Sequence, residues 1–124
     1  MPTPVSTDKA PAAVGPYSQG MVTGSLVFTS GQLPIVAETG VIPETIEEQA
    51  KASLENVKAV LEAAGSSMSQ VVKTTVFLND ITHFAAVNEV YSTYFGQPFP
   101  ARSCFEVACL PKGALVEVEV VAEK

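Results

Sequence analysis

Arg102 is the only arginine in the chain, and it stands in a stretch that also carries a thiol and a carboxylate, Pro100-Ala101-Arg102-Ser103-Cys104-Phe105-Glu106-Val107. A planar guanidinium grips a carboxylate through two parallel N–H···O bonds, a geometry that a lysine ammonium does not offer. After a Pro-Lys-Gly turn comes Leu115-Val116-Glu117-Val118-Glu119-Val120-Val121. Both segments alternate with the period of a strand. On the first, Ser103, Phe105, Val107 and Cys109 share one face and Arg102, Cys104 and Glu106 the other. On the second, Val116, Val118, Val120 and Ala122 share a face, with Glu117 and Glu119 opposite. Two such strands side by side are expected to turn their apolar faces to a core and to leave arginine, thiol and carboxylates on the far side. That set can hold a small carboxylate and position a water.

Other chemistries lack their parts. His83 is the only histidine and falls in the first turn of a predicted helix, where a solvated polar residue is the ordinary reading. Serine-histidine-acid catalysis has no suitable histidine beside a nucleophile motif, and a Cys104–His83 pair would require a tertiary coincidence. One histidine and no thiol cluster leave no conventional metal site, and no phosphate-cradling glycine loop is present. The ordinary alternative for Arg102 is a structural ion pair with Glu106 or Glu119. Tyr17 follows a Gly-Pro corner that fixes its direction, although taken alone it reads first as a packing tyrosine. Ser30-Gly31, at a strand end before Gln32-Leu33-Pro34, permits a close backbone approach to a ligand.

The elements that must position these residues follow from periodicity. Residues 1–16 hold four prolines and read as an extended arm. Residues 18–30 read as two strands joined across Thr23-Gly24. Thr45 and Glu48 form a capping box for a helix whose Ile46, Ala50, Leu54, Val57, Leu61 and Ala64 recur at helical spacing, with Gly65 as its stop. Residues 71–78, Val-Val-Lys-Thr-Thr-Val-Phe-Leu, form a strand rich in β-branched residues. A second helix starts at Asp80 or Thr82, turns Phe84, Val87, Tyr91 and Tyr94 or Phe95 inward, and ends at Gly96. Asn88 lies toward its polar side, within possible reach of a pocket. The order predicts an α+β fold, a mixed sheet with both helices on one face. The face bearing Arg102 and Glu117 is then left uncovered.

Composition bounds the rest. The 124 residues suit one domain spanning 1–124. Hydrophobic residues make up 47% and charged residues 16%, with mean hydropathy +0.27, which is apolar for so small a surface and points to burial against further copies. A net charge of −6 with scattered basic residues argues against nucleic acid as a partner. No apolar run approaches the ~20 residues that span a bilayer. The N-terminus lacks a signal-peptide layout, so a cytoplasmic location is expected. Cys104 and Cys109 fall on opposite faces of a continuous strand and are expected to be reduced.

Pro-Ala-Arg-Ser-Cys-Phe-Glu-Val-Ala-Cys-Leu-Pro-Lys-Gly-Ala-Leu-Val-Glu-Val-Glu at 100–119 resembles the C-terminal signature of the RidA (YjgF/UK114) family of enamine/imine deaminases. Residues 10–20, Ala-Pro-Ala-Ala-Val-Gly-Pro-Tyr-Ser-Gln-Gly, and 28–34, Phe-Thr-Ser-Gly-Gln-Leu-Pro, resemble its other two signatures. The resemblance implies a chorismate-mutase-like fold, a homotrimer with sites between subunits, and no metal or organic cofactor. It further implies hydrolysis of 2-aminoacrylate and 2-aminocrotonate, through 2-iminopropanoate and 2-iminobutanoate, to 2-oxo acids and ammonia. Arg102 would bind the substrate carboxylate and Glu117 would anchor or deprotonate water, while Tyr17, Ser30, Gly31 and Cys104 would complete the substrate cradle. The basic residue common in the family at position 109 is a cysteine here. A non-enzymatic carboxylate sensor or chaperone-like role, and a ribonuclease or translation-inhibitor role, are the competing readings. A simple hairpin about Lys112-Gly113 would pair Glu117 near Ala108, about six residues or roughly 20 Å from Arg102. Either the two strands are not hairpin neighbours, or the site joins two chains.

Overall fold

The computed structural model describes residues 1–124. The strands are β1 (Thr3–Val5), β2 (Gly20–Thr23), β3 (Leu26–Thr29), β4 (Val71–Leu78), β5 (Ala101–Glu106) and β6 (Val116–Glu123), with helices α1 (Ile46–Ala63) and α2 (Phe84–Tyr91). They build one mixed six-stranded sheet in the order β1-β2-β3-β6-β4-β5. Only the β4–β5 pair is parallel, as a strand–helix–strand crossover through α2 requires. The expected α+β architecture stands, and the arm of residues 1–16 contributes β1 as an added edge strand.

Helix α1 forms where the sequence signals it. Thr45 Oγ1 accepts from Glu48 N at 3.2 Å. At the other end Gly65 adopts φ +84°, while Gly65 N donates to Glu62 O and Ser66 N to Leu61 O, the paired bonds of a Schellman stop. Between them Leu54, Val57, Val60 and Leu61 are fully buried against the sheet, each stabilising by about 1.5–3 kcal/mol. The core beneath joins Val27, Val76, Leu78, Val116, Val118 and Val120 to the helices. Asn56, buried in α1, donates to the carbonyls of Leu33 and Ile35, and so fixes the segment after Gly31. Gln19 accepts from Thr7 N and donates to Thr7 O and Pro11 O, which ties the N-terminal arm down beside Tyr17.

Helix α2 is shorter than its sequence pattern predicts. A 3-10 turn, Ile81–His83, precedes it, capped by Asp80 accepting from Thr82 N at 2.9 Å. The helix proper ends at Tyr91, and Phe95 remains buried beyond it. No helix is long and apolar enough to cross a membrane.

Two expectations about the C-terminal strands are overturned. β5 and β6 are not hairpin neighbours, because β4 lies between them and pairs with both. Nor do their polar residues share a face. Arg102, Cys104 and Glu106 stand opposite Thr74, Val76 and Leu78, which are buried under the helices. Glu117 and Glu119 stand opposite Phe77 and Thr75, on the side without helices. Phe105, expected in the core, is 44% exposed on that open side and meets Phe77 edge to face at 5.4 Å. Alternation reveals which residues share a face, but β5 carries apolar residues on both, so its inward side was not encoded locally.

Candidate active site

Arg102 lies on an edge strand yet is held from several directions. Its Nη1 donates to Asn88 Oδ1 at 2.6 Å. Its Cζ sits 4.9 Å from the ring centroid of Tyr91 and 5.3 Å from that of Phe84, both within cation–π range. Phe84, Asn88 and Tyr91 recur at helical spacing along one side of α2, which is how one short helix supplies all three. The partner is thus a neutral amide, not the carboxylate of Glu106, which instead accepts from Ile81 N at 2.9 Å. The guanidinium keeps its charge uncompensated and most of its N–H groups open to a ligand.

Cys104 is half-buried on the same face two residues along β5. Burial raises its thiol pKa, and the charge of Arg102 pulls the other way. The thiol therefore stays protonated at neutral pH.

Glu117 belongs to a second group, on the open face. The main chain of Gln32 bridges to Val118, with Gln32 N donating to Val118 O at 2.8 Å. That pairing lays the Glu117 carboxylate directly over Gly31, where a β-carbon would come within 1.8 Å of Oε2. Glycine at 31 is required by this approach. Burial, then the like charge of Glu119, raises the Glu117 pKa, which makes it a stronger base than an exposed glutamate. Ser30 donates to Ser18 O at 2.6 Å, and this bond ties the strand end to the segment carrying Tyr17, a residue 53% exposed.

The predicted site residues therefore fall into two constellations. Ser30, Gly31 and Glu117 are together, with Tyr17 on the adjoining segment, and Arg102 and Cys104 are together. Within one chain Arg102 and Glu117 point to opposite faces, about 10 Å apart along the strands and roughly another 10 Å across them. Asn88, left open by the sequence, is a partner of Arg102, and Phe84 and Tyr91, expected only as core, flank the guanidinium. An asparagine recurring among aromatics on one helix side was the available signal. A concavity of about 970 Å³ runs along α1 past Lys51, Glu55 and Lys58 and includes none of the predicted site residues.

The chain matches the family described as endoribonuclease L-PSP over residues 7–124. It is 51% identical to the 2-iminobutanoate/2-iminopropanoate deaminase of Salmonella typhimurium over 95% of this chain and 94% of that one. The Escherichia coli protein of the same name is 49% identical over the same shares. Among solved structures, E. coli TdcF with bound serine superposes with a TM-score of 0.94 at 47% identity, covering 98% of each chain. RidA from an Antarctic Psychrobacter superposes at 0.95 and 46% identity, covering 98% of this chain and 99% of that one. Agreement of sequence and fold over nearly the whole length means that the chain belongs to the endoribonuclease L-PSP family, the RidA/YjgF family.

Proposed function

We propose that this chain is a deaminase that hydrolyses small 2-imino acids to 2-oxo acids and ammonia, acting in the cytoplasm as a homotrimer of single-domain subunits. The observation that carries the reading is Arg102: a guanidinium held by Asn88, Phe84 and Tyr91 but not neutralised. An arrangement of that kind suits a small carboxylate, the group shared by every 2-imino acid, and the 51% identical Salmonella relative bears the name of that activity.

In this reading the carboxylate of 2-iminobutanoate or 2-iminopropanoate docks on Arg102, with Cys104 beside it. A neighbouring copy supplies Glu117, Gly31, Ser30 and Tyr17 from its open face. Water adds to C2 of the imine as Glu117 takes a water proton and the imine nitrogen gains one. The amino nitrogen of the resulting carbinolamine takes up a second proton, from the Glu117 carboxyl, the hydroxyl proton is lost to water, and the C2–N bond breaks to release ammonia and leave the 2-oxo acid. Enamine substrates enter after tautomerising to the imine. The steps balance with water and proton transfer alone. Imine hydrolysis is intrinsically easy, so positioning supplies most of the acceleration.

The two-copy site rests on the placement of Arg102 and Glu117 on opposite faces, and on an open face that carries Phe28, Phe77, Phe105 and Val121 as well as acids. A threonine dehydratase coupled to this protein tests the activity. The imine released by the dehydratase should disappear faster with the protein present, with 2-oxobutanoate and ammonia appearing in equal amounts. Binding of 2-oxo acids without faster imine loss would instead make the chain a carboxylate sensor.

A further inference from the structure

Long side chains on edge strands ordinarily sample many rotamers, and an arginine surrenders that freedom on binding a ligand unless it has already been fixed. Of the three groups that hold Arg102, Phe84 is 38% exposed, whereas Tyr91 is 6% exposed. Asn88 fixes one nitrogen of the guanidinium, and the two rings limit the freedom left to the group. Tyr91 lies beneath it, 4.9 Å from Cζ. The ring is itself anchored: the Tyr91 hydroxyl and Thr74 Oγ1 share a buried hydrogen bond of 2.8 Å. Thr74 is fully buried and is the β4 residue paired with Arg102 in the β4–β5 register. The strand pair that carries the arginine therefore also holds the ring that supports it, through a closed circuit from Arg102 to Thr74 to Tyr91 and back.

We propose that Tyr91 is a positioning residue for Arg102: anchored by Thr74, its ring limits the freedom of the guanidinium and leaves the N–H groups that Asn88 does not engage free for a substrate carboxylate. A ring within cation–π range offers no acceptor atom, and Asn88 is the one side chain that accepts a hydrogen bond from Arg102. That bond takes one donor, and the rest keep the fork that two carboxylate oxygens require. The carboxylate part of this inference rests on the proposed function; the positioning part rests on geometry alone.

The two parts can be measured separately. Arg102 is the only arginine, so its Nε–Hε pair gives a single side-chain resonance whose ¹⁵N relaxation reports guanidinium mobility in the ligand-free protein. Tyr91→Leu should increase that mobility. It should also weaken binding of 2-oxobutanoate about 3- to 30-fold, while binding of the uncharged 2-oxobutanamide is unchanged. Tyr91→Phe keeps the ring and should have a smaller effect on mobility. Thr74→Val should match it, and the double variant should do no more than either. Unchanged Arg102 relaxation in folded Tyr91→Leu would overturn the proposal, as would equal loss of the acid and the amide. If Tyr91→Leu does not fold, the Tyr91→Phe and Thr74→Val cycle decides, and additive effects on relaxation refute the circuit. If mobility rises as expected but even the parent protein binds no 2-oxobutanoate, the positioning stands and the deaminase reading falls.

Discussion

Glu117 occupies the space that a side chain at position 31 would need: a β-carbon built on Gly31 lies 1.8 Å from Glu117 Oε2 and 2.7 Å from its carboxyl carbon. The obstructing atoms are the end of a flexible side chain, so Gly31→Ala is expected to fold and to displace the carboxylate. Turnover should fall about 10²-fold through misplacement of the proposed general base. Stability should change by less than about 1 kcal/mol. Steady-state kinetics and urea denaturation on the same preparation check both parts.

Glu117→Gln keeps size but removes basicity. Imine turnover should drop about 10²- to 10⁴-fold, with affinity for a 2-oxo acid nearly unchanged. Glu119→Gln, two residues along the same face, should do much less. Equal losses of turnover and affinity in Glu117→Gln would make Glu117 a binding residue instead.

The pH dependence follows from the raised Glu117 pKa. In the proposed mechanism Glu117 acts as the carboxylate, so kcat/KM should fall on the acid side with an apparent pKa above the ordinary glutamate value of 4.5. Removing the neighbouring charge by Glu119→Gln should move that limb to lower pH. Stability has the opposite sense. A raised folded pKa means that the native state binds the proton more tightly than the unfolded chain. The associated stabilisation is fully present below the unfolded pKa and is lost as pH rises through the folded one. At neutral pH Glu117→Gln is therefore expected to be slightly more stable than the parent by thermal unfolding while being far less active.

Arg102→Lys preserves charge and loses the fork. A fall in kcat/KM of about 10- to 100-fold is expected, matching loss of a charge-assisted hydrogen bond of about 1.5–3 kcal/mol. Because Arg102 is exposed, the fold should survive. Far-UV circular dichroism with kinetics separates the two effects.

Much of this arrangement is legible in the chain itself, where the signals are local. The Thr45–Glu48 cap, the Gly65 stop and the β-branched run of β4 each determine their element within a few residues, and the structure places all three as expected. The face of β5 is a tertiary property. Phe105 resembles a core residue until β5 is known to be an edge strand parallel to β4, with Phe105 packed on Phe77 across the open side. Pro111-Lys112-Gly113 resembles a hairpin turn, yet it lies within the connection from Glu106 to Val116 that carries the chain past β4, a choice made by sheet pairing and not by the turn. Asn88 was ambiguous for the same reason. Its role exists only because the β4–β5 crossover brings α2 over Arg102.

The central claim is that Arg102 and Glu117 serve one substrate from two copies of the chain, and subunit complementation tests it most directly. Arg102→Ala and Glu117→Ala proteins, each inactive alone, are mixed in equal amounts under conditions where exchange of subunits is verified by mass spectrometry of differently labelled copies. Random assembly into the proposed cyclic trimers would leave both residues intact at about one junction in four, so recovery of about a quarter of the parent activity is expected. No recovery despite demonstrated exchange would contradict a shared site and would require Arg102 and Glu117 to act within a single chain.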